Sequence, residues 1–407
     1  MVPNGWKLTS LGDISSKVQT GPFGSQLHAH EYTDEGIPVL MPKDLINGRA
    51  DINSAAKITE SRADDLAKHK LKKGDILFSR RGDVARFGLI TEESEGALCG
   101  TGCLKASISK EHSALFLSYF LQKSAVRKWL EQNAVGQTML NLNTTILSEL
   151  PIMVASSKQE QQKIAKILST WDKAISSTKR LIKNSTQQKK ALMQQLLTGK
   201  RRLLDDEGKR FEGEWEEATV SSFGKVVTGS TPPKNDSSSY DGNISWATAE
   251  DFKQKYVSNT KVKLTESGAT KARVVPKGSV LVTCIASIGK NAIANEDLAT
   301  NQQINSVVIN KNNSNEFFYY LIEFNTHKLL AWAGTTAVPI LNKTSFEKVK
   351  FIVPNLKEQQ KIATVLTNAD REIELLEQQL ANLQQEKKAL MQVLLTGKKR
   401  VVVDGEA

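Results

Sequence analysis

Two cysteines and two histidines have spacings that could in principle contribute to a metal site. Cys99 and Cys103 stand four residues apart, and His28 and His30 flank a single alanine. A structural zinc site needs four ligands, usually from two such pairs, and Cys284 is the only other cysteine in the sequence. We therefore expect these side chains to be packing or loop residues, and we expect no metal ion in this chain.

Other catalytic arrangements are also missing from the sequence. There is no phosphate-binding loop of the form G-x-x-x-x-G-K-[ST], so the chain is not expected to bind ATP in that way. No Ser–His–acid arrangement stands out among the five histidines. The sequence thus favours a binding protein over an enzyme.

The composition indicates a globular protein of the cytoplasm. The chain has 407 residues, of which 39% are apolar and 24% charged, enough for two or three domains with cores of their own. Three cysteines are too few for a disulfide framework, which indicates a reducing compartment. No stretch approaches the roughly 20 consecutive apolar residues of a membrane helix, and the start, "MVPNGWKLTSLGD", lacks the apolar core of a signal peptide. We expect a cytoplasmic protein without a membrane segment.

The net charge of +11 is concentrated in one segment. Residues 158–202 contain 12 lysines and arginines but only 2 acidic residues, whereas residues 1–157 contain 18 against 17 and residues 203–356 contain 17 against 17. A charge run of this kind is often a solvated helix face. It also suits a segment that lies along a phosphate backbone or an acidic partner.

The same segment is spelled twice, 198 residues apart. "EQQKIA" occurs at 160–165 and 358–363, and "KKALMQQLLTGKRR" at 189–202 returns as "KKALMQVLLTGKKR" at 387–400. Residues 159–198 and 357–396 contain no glycine or proline, and each run is followed by a glycine, as is typical of a helix end. Each run predicts a helix of about 40 residues, about 60 Å long at about 1.5 Å per residue.

Apolar residues along both helices alternate at spacings of four and three. This spacing averages 3.5 and predicts a left-handed coiled coil. In the first helix Thr178 and Ser185 occupy seam positions, so that seam is expected to depend on the second helix. The predicted apolar seam comprises Ile164, Leu168, Trp171, Ile175, Ile182, Leu192 and Leu196, and Ile362, Leu366, Ile373, Leu376, Leu380, Leu383, Leu390 and Leu394.

The direction of the pairing follows from two lysines on the seam. A parallel, in-register pair would place Lys189 against Lys387, two ammonium groups on one apolar surface. An antiparallel pair instead places Lys189 near Ala369 and Lys387 near Trp171, where a cation–π contact is available. We therefore predict antiparallel helices that relate the two halves of the chain by an approximate two-fold axis.

A divergent block precedes each helix. "LKKGDILFSRRGDVARFGLI" at 71–90 corresponds to "VVPKGSVLVTCIASIGKNAI" at 274–293, and "GIPVLMPKDL" at 36–45 to "NISWATAEDF" at 243–252. Short apolar runs such as "DILFS" predict strands, and segments 111–132 and 315–333 predict amphipathic helices. We call these two α+β blocks head 1 and head 2. The predicted segments are head 1 at 1–157, a helix at 158–198, a linker at 199–213, head 2 at 214–355, a helix at 356–397 and a tail at 398–407.

These phrases together resemble one known family. The repeated "EQQKIA…KKALMQ(Q/V)LLTGK", following a "TG(P/S)" segment and a "GIPV" or "ISWAT" strand, closely resembles the specificity subunit of type I DNA restriction–modification enzymes, over nearly the whole chain. The resemblance implies an α+β fold with two pseudo-two-fold-related α/β target recognition domains, separated by two long antiparallel coiled-coil helices. It also implies that each domain reads one half of a bipartite, gapped DNA target and that the helices set the spacing.

The resemblance implies partners that carry the chemistry. Two modification subunits would bind the helices and transfer methyl groups from S-adenosylmethionine to adenine, and restriction subunits would use ATP and Mg²⁺ for translocation and cleavage. This chain would need no cofactor: its "TPPK" at 231–234 lacks both the Asn or Asp and the aromatic residue of an adenine-methyltransferase motif. One alternative is a coiled-coil scaffold whose heads bind proteins, and another is an enzyme whose active site the sequence does not reveal.

Candidate DNA contacts are polar residues in loops near glycines. Arg, Lys, Asn and Gln side chains read base edges, while small residues and backbone amides meet phosphates. Gln302 and Gln303 have carboxamides that can form two hydrogen bonds with adenine. The predicted DNA-binding residues are Ser25, Gln26, Lys43, Arg80, Arg81, Arg86, Lys105 and Gln137 in head 1, and Thr231, Lys234, Lys290, Gln302, Gln303 and Thr335 in head 2.

Overall fold

The computed structural model describes residues 2–136, 140–334 and 338–403, which form two compact units. Unit 1 combines Met1–Thr178 with Gln379–Ala407, and unit 2 comprises Lys179–Gln378. Each unit therefore contains one head together with part of each long helix. No helix among the described residues is both long enough and apolar enough to cross a lipid bilayer.

Head 1 is built from short strands and short helices. Its strands are β1 (Trp6–Ser10), β2 (Ser15–Thr20), β3 (Ile37–Leu40), β4 (Leu45–Ile46), β5 (Gly48–Ala50), β6 (Ala56–Ile58), β7 (Asp75–Ser79), β8 (Phe87–Leu89), β9 (Leu98–Cys99), β10 (Cys103–Ile108) and β11 (Pro151–Ala155). Its helices are α1 (Glu60–Asp65), α2 (Ala114–Phe120), α3 (Ser124–Asn133) and α4 (Thr144–Ser148). The predicted strand "DILFS" is β7, every residue of which is buried.

The strands of head 1 form three sheets. A six-stranded sheet has the order β2-β10-β7-β8-β5-β4, a three-stranded sheet has the order β6-β3-β9, and β1 pairs antiparallel with β11. Leu104 and Ala106 of β10 and Phe78 of β7 contribute to one core cluster with α2, α3 and α4. The long helix α5 (Lys158–Leu196) follows β11 directly.

Head 2 repeats this plan within unit 2. Its strands are β12 (Glu216–Thr219), β13 (Gly224–Thr228), β14 (Tyr240–Ala247), β15 (Tyr256–Val257), β16 (Val262–Leu264), β17 (Val274–Val275), β18 (Val280–Thr283), β19 (Asn291–Ala294), β20 (Leu298–Thr300), β21 (Ile304–Ile309) and β22 (Lys350–Val353). Its helices are α6 (Val220–Phe223), α7 (Glu266–Lys271), α8 (Asn315–Phe324), α9 (Thr326–Ala331) and α10 (Lys343–Glu347), and the second long helix is α11 (Leu356–Leu394). The sheet orders are β13-β21-β18-β19-β15, β16-β14-β20-β17 and β12-β22.

The two amphipathic segments predicted as single helices are each broken into two. Residues 111–132 form α2 and α3, and residues 315–333 form α8 and α9. At the second break Asn325 donates from its Nδ2 to the Leu321 carbonyl at 2.9 Å. Such side-chain bonds to the backbone compete with helix continuation. Periodicity alone does not reveal that competition.

The two long helices run antiparallel within each unit, as predicted. In unit 1, Trp171 near the start of α5 donates from Nε1 to Glu386 near the end of α11 at 3.2 Å. In unit 2, Ser185 in the second half of α5 donates to Glu372 in the first half of α11 at 3.2 Å. Residues at the predicted seam positions are buried or half-buried along both helices, including Thr178 and Ser185.

Lys387 lies beside the Trp171 region of α5, as predicted, but its aromatic contact is with a different residue. Lys387 pairs with Asp172, one residue beyond Trp171, with 2.7 Å between Nζ and Oδ1. Its ammonium lies 5.2 Å from the ring centroid of Tyr119, which projects from α2, and Tyr119 also donates to Asp172 at 2.6 Å. Tyr119 of head 1 therefore takes the place expected for Trp171, because the paired helices also pack against head 1 at this point.

Unit 2 contains the equivalent arrangement with the helices exchanged. Lys189 of α5 pairs with Asp370 of α11 at 2.7 Å, and its ammonium lies 5.5 Å from the ring of Tyr320 in α8. Tyr320 donates its hydroxyl to Asp370. Each repeated lysine thus ties one long helix to the other helix and to a head.

The repeated glutamates are buried and paired with the repeated terminal arginines. Glu160 accepts two hydrogen bonds from Arg400 in unit 1, at 2.6 and 2.7 Å. Glu358 accepts two from Arg202 in unit 2, also at 2.6 and 2.7 Å. Gln161, which follows Glu160, also bonds head 1: its side-chain oxygen accepts from the Ser113 backbone N–H at 2.9 Å, just before α2. The repeated phrases are therefore preserved because each copy joins the two helices to each other and to the heads.

Candidate nucleic-acid interface

In head 1 the predicted loops lie side by side beyond the ends of the strands. We define the first loop edge as residues 21–26, 41–44, 80–86 and 100–102. Backbone hydrogen bonds hold it together: Gly21 N to Cys103 O (2.9 Å), Gly100 N to Leu40 O (2.9 Å), Arg80 N to Gly102 O (2.8 Å) and Leu142 N to Arg80 O (2.9 Å). The loops are thus fixed to each other independently of their side chains.

Head 2 has an equivalent surface built by equivalent bonds. We define the second loop edge as residues 229–234, 248–251, 284–290 and 301–303. The matching bonds are Gly229 N to Ile304 O (2.9 Å), Asn301 N to Ala247 O (3.1 Å), Cys284 N to Gln303 O (2.8 Å) and Leu341 N to Cys284 O (2.8 Å). The two edges therefore share a backbone framework, and each position in one has a counterpart in the other.

Glycines in the first strand-end loop allow this close approach. A Cβ atom on Gly21 would lie 2.0 Å from the Gly100 carbonyl oxygen, and one on Gly229 would lie 2.1 Å from the Asn301 carbonyl oxygen. Neither position tolerates a side chain while the neighbouring backbone stays in place. This contact explains why "TG" begins the loop in both heads.

The side chains on the first loop edge are mainly basic. Lys43 and Arg81 are exposed, and Arg80 is half-buried. Arg86 is exposed and pairs with Asp83 of the same loop at 3.2 Å. The edge thus presents several cations to solvent, which suits contacts with phosphates and guanine.

The second loop edge is richer in amides and hydroxyls. Gln302 and Gln303 are exposed, and Thr231 donates its hydroxyl to the Gln302 side-chain oxygen. Lys234 is exposed, while Lys290 bonds the Ala249 carbonyl at 2.6 Å and so stays close to the edge. The amides and the hydroxyl both donate and accept hydrogen bonds, whereas the lysines only donate. This mixture suits the edges of bases.

The sequence matches known proteins along both halves. It matches the family described as the type I restriction modification DNA specificity domain over residues 3–185 and again over residues 212–385. The chain belongs to this family. The prediction that it is a type I specificity subunit is confirmed, and with it the α+β fold with two recognition domains and two long antiparallel helices.

Known specificity subunits are similar to this chain over nearly all or part of its length. A Methanocaldococcus jannaschii protein provisionally named the type I restriction enzyme MjaX specificity subunit is 27% identical over 418 residues, covering 98% of this chain and 95% of that protein. The MjaIX specificity subunit of the same organism is 33% identical over 168 residues, 40% of this chain and 39% of that protein. The solved S subunit of a type I restriction–modification system from M. genitalium has the same fold, with a TM-score of 0.60, 16% identity and 97% of both chains covered.

A specificity subunit is the DNA-recognition component of its enzyme and is not catalytic, as predicted for this chain. The described cysteines fit this role, because burial raises the pKa of Cys99 to about 12 and that of Cys284 to about 11. These thiols are therefore uncharged and unreactive at neutral pH. Among the residues that the structure describes, no three His, Cys, Asp or Glu side chains are grouped so as to hold a metal ion.

One predicted contact does not fit the loop edge of the specificity subunit. Lys105 is only 7% exposed, because it lies in the middle of β10. Its ammonium donates to the Lys70 carbonyl at 3.0 Å and lies 3.8 Å from Asp75. Lys105 supports the sheet from within, and we remove it from the candidate interface.

Two further predictions concern the loop that contains Ser25 and Gln26. Ser25 is exposed at the first loop edge, whereas the Gln26 side chain accepts from the Phe23 backbone at 3.0 Å. Gln26 thus closes the turn that presents Phe23. Gln137 and Thr335, which were also predicted to contact DNA, lie outside the described residues.

Sequence reasoning missed Phe23. This side chain is 56% exposed at the tip of the first loop, and the Arg80 guanidinium carbon lies 5.9 Å from its ring centroid. A large exposed aromatic residue between two glycines, in "GPFGS", is the signal that was available in the sequence.

Proposed function

We propose that this specificity subunit recognises a bipartite, gapped DNA target, with each loop edge reading one half of it. The observation that carries this proposal is the pair of loop edges themselves, which share the same backbone bonds but present different side chains. A common framework with divergent polar groups is what two half-sites of different sequence require. Phosphate contacts would position each head, and base contacts would specify the sequence.

The two long helices are proposed to set the spacing between the half-sites. They are the segments whose residues repeat most faithfully in the sequence, and the predicted seam residues of both are buried or half-buried. A spacing device has to hold its length, and a paired coiled coil does so better than a flexible linker. The length of the gap would then depend on the helices and not on the loop edges.

The catalytic chemistry is proposed to reside in partner subunits. Two modification subunits would bind the helical framework and transfer methyl groups from S-adenosylmethionine to adenines, and restriction subunits would supply cleavage with ATP and Mg²⁺. The exposed residues Lys179, Arg180 and Lys183 of α5 support an acidic or polyanionic partner along this helix. The complex would act on double-stranded DNA in the cytoplasm.

Tight DNA binding is proposed to need those partners. Residues 1–157 and 203–356 carry almost no net charge, and nonspecific DNA affinity comes mostly from neutralised phosphates. We therefore expect weak binding by the isolated chain and strong binding by its complex with modification subunits. Nanomolar, sequence-specific binding by the chain alone would contradict this part of the proposal.

Methylome sequencing tests the function directly. Genomic DNA is sequenced from two strains that both carry the modification subunit, one with this chain and one without it, and the methylation patterns are compared. The expected result is a gapped adenine-methylation motif that is present only when the chain is present. A motif that persists without the chain, or no gapped motif in either strain, would favour a scaffold whose heads bind proteins.

A further inference from the structure

The two loop edges contain one equivalent position that is occupied by very different side chains. Gly21 and Gly229 make matching backbone bonds, and the residues two positions further along are Phe23 and Thr231. In each head this residue contacts a long planar polar side chain from another loop. The partner is Arg80 in head 1 and Gln302 in head 2.

In head 1 the position of Arg80 is fixed on several sides. Its backbone N–H donates to the Gly102 carbonyl, and its own carbonyl accepts from the Leu142 N–H. The backbone of Arg80 is therefore hydrogen-bonded to two neighbouring segments. Its guanidinium carbon lies 5.9 Å from the ring centroid of Phe23, a cation–π contact that favours this position of the side chain. The turn that presents Phe23 is closed by Gln26.

The guanidinium of Arg80 lacks an acidic partner within the described part of the chain. Its Nε–H is buried and makes no hydrogen bond there. The neighbouring Arg86, in contrast, pairs with Asp83. Because the Nε edge is closed off, Arg80 can meet a ligand only through its two terminal nitrogens, which match the O6 and N7 acceptors of guanine.

In head 2 the loop that contains Thr231 is anchored from below. Trp246 donates from Nε1 to the Ser230 carbonyl at 3.0 Å, and Tyr240 donates its hydroxyl to the Pro232 carbonyl at 2.6 Å. The residues on both sides of Thr231 are therefore fixed. Thr231 then donates its hydroxyl to the side-chain oxygen of Gln302, which orients an exposed carboxamide.

This orientation leaves the groups needed for adenine. The Gln302 oxygen has a second lone pair that can accept from adenine N6, and its NH₂ group can donate to adenine N7. A glutamine held in this way reads adenine with two hydrogen bonds. The threonine contributes the orientation and not the base contact.

The two reading groups come from different loops of the shared framework. The position of Arg80 is taken in head 2 by Cys284, which is buried, and the position of Gln302 is taken in head 1 by Thr101, which is half-buried. Each edge thus has one long planar polar group beside residue 23 or 231, and never both. The choice of loop differs, while the neighbouring position is kept.

From this arrangement we propose that Arg80 reads a guanine in one half-site and Gln302 reads an adenine in the other, with Phe23 and Thr231 as their positioning residues. The proposal rests on the proposed function and adds the chemical identity of one base in each half. It assigns guanine O6 and N7 to the terminal nitrogens of Arg80. It assigns adenine N6 and N7 to the carboxamide of Gln302.

The test uses the complex of this chain with its modification subunits, and DNA duplexes that contain the motif found by methylome sequencing. One purine at a time is replaced by 7-deazaguanine or 7-deazaadenine, which lack the N7 acceptor, and affinity is measured by fluorescence anisotropy. With the wild-type chain we expect one guanine in one half and one adenine in the other to be sensitive, each with a loss of about 5- to 10-fold.

Variants then assign each sensitive base to a residue. Arg80→Ala should lose sensitivity to the deazaguanine only, and Gln302→Ala to the deazaadenine only. Phe23→Leu should weaken the guanine contact about 2- to 5-fold, and Phe23→Tyr should restore it. Thr231→Val should behave like Gln302→Ala, and Thr231→Ser should restore the adenine contact. Arg49→Ala and Gln254→Ala, exposed residues outside both loop edges, serve as charge and amide controls.

The outcomes separate this inference from the proposed function. A wild-type chain that directs no gapped motif would defeat the proposed function itself. A normal motif with no sensitive guanine in one half or no sensitive adenine in the other would overturn the base assignment. So would an Arg80→Ala variant that stays as sensitive as the wild type, or one that weakens every duplex equally, as loss of a phosphate contact would. The scan with the wild-type chain does not depend on how any variant folds.

Discussion

The two heads of this specificity subunit share the backbone hydrogen bonds that hold their loop edges together. They differ in the side chains that those edges present. The loop edges share matching backbone hydrogen bonds, from Gly21 and Gly229 to Arg80 and Cys284. The glycines are the same in both heads, but Arg80 and Cys284 differ in charge, size and exposure. The comparison separates residues that build the framework from residues that are free to change.

The long helices show the opposite pattern. Their repeated residues pair with each other, as Glu160 does with Arg400 and Glu358 with Arg202. A change in one copy has to be matched by the other copy, because each pair joins the start of one helix to the residues after the other. Such coupling keeps the helices alike while the loop edges diverge.

The largest effect is expected from a substitution that removes one of these ion pairs in unit 2. Glu358 is fully buried and its partner Arg202 is 20% exposed, whereas Arg400, the partner of Glu160, is 45% exposed. Removing one member of a buried ion pair leaves an uncompensated charge. Arg202→Ala should therefore lower the free energy of unfolding of unit 2 by about 3 kcal/mol.

Arg400→Ala should cost unit 1 less, because solvent already reaches that guanidinium. The free energy of unfolding of each unit is measured for both variants by urea titration, with hydrogen exchange in peptides of that unit as the signal. Equal losses in the two units would contradict the role given to burial. A loss that appears in the wrong unit would contradict the pairing itself.

The next effect concerns a polar cluster in unit 2 that, among the residues the structure describes, has no equivalent in head 1. Lys255 is buried and bonds Glu316 at 2.6 Å, and Glu316 also accepts from Thr367 and Tyr256. Burial alone would raise the pKa of Glu316, but the Lys255 ammonium and the two hydroxyls outweigh it, so the pKa is lowered. A lowered carboxyl pKa stabilises the fold above the unfolded value of about 4.3, and this stabilisation is lost as pH falls through the lower, folded-state pKa.

Glu316→Gln should lower the stability of unit 2 by about 2 kcal/mol at pH 7 and by less at pH 3. Urea unfolding at the two pH values measures the difference. The equivalent position in head 1 is Leu115, which is exposed, so Leu115→Gln serves as a control with no such pH dependence. A Glu316→Gln penalty that grows on acidification would show that the sign is wrong.

The smallest effect compares the same turn in the two loop edges. Gly82 in head 1 has φ of +75°, and its counterpart Ala286 in head 2 has φ of +62°. A left-handed backbone costs an alanine about 1 kcal/mol relative to glycine. Ala286→Gly should therefore stabilise unit 2 by about 1 kcal/mol, and Gly82→Ala should destabilise unit 1 by a similar amount.

Urea unfolding measures this pair of variants as well. Gly24→Ala is the matched control, because an added Cβ there meets no atom within 4 Å and its φ is not positive. Changes of the same sign at positions 82 and 286 would contradict the equivalence of the two turns.

The sequence predicts the framework better than the loop edges, for a physical reason. The 4-3 spacing and the two lysines depend on neighbours along one helix, so they were sufficient to predict antiparallel helices. The partners of those lysines were not predicted, because Tyr119 and Tyr320 arrive from distant segments. Lys105 was misplaced for the same reason, since its burial depends on how β10 sits between its neighbouring strands.

At the loop edges, residue types gave candidates but not their arrangement. Arg80 and Gln302 were predicted from their chemistry, and both lie on the edges. Phe23 was not predicted, because a single aromatic residue in a loop belongs to no periodic pattern. Only the folded chain shows it beside Arg80.

The most direct test of the central claim, that the two heads read separate halves of one target, is a head exchange. Residues 214–355 are replaced by the second head of another specificity subunit, and the methylome is sequenced from cells that also carry the modification subunit. Our account predicts a motif in which one half is new while the other half and the gap are unchanged. A motif altered in both halves, or in the length of the gap, would contradict it.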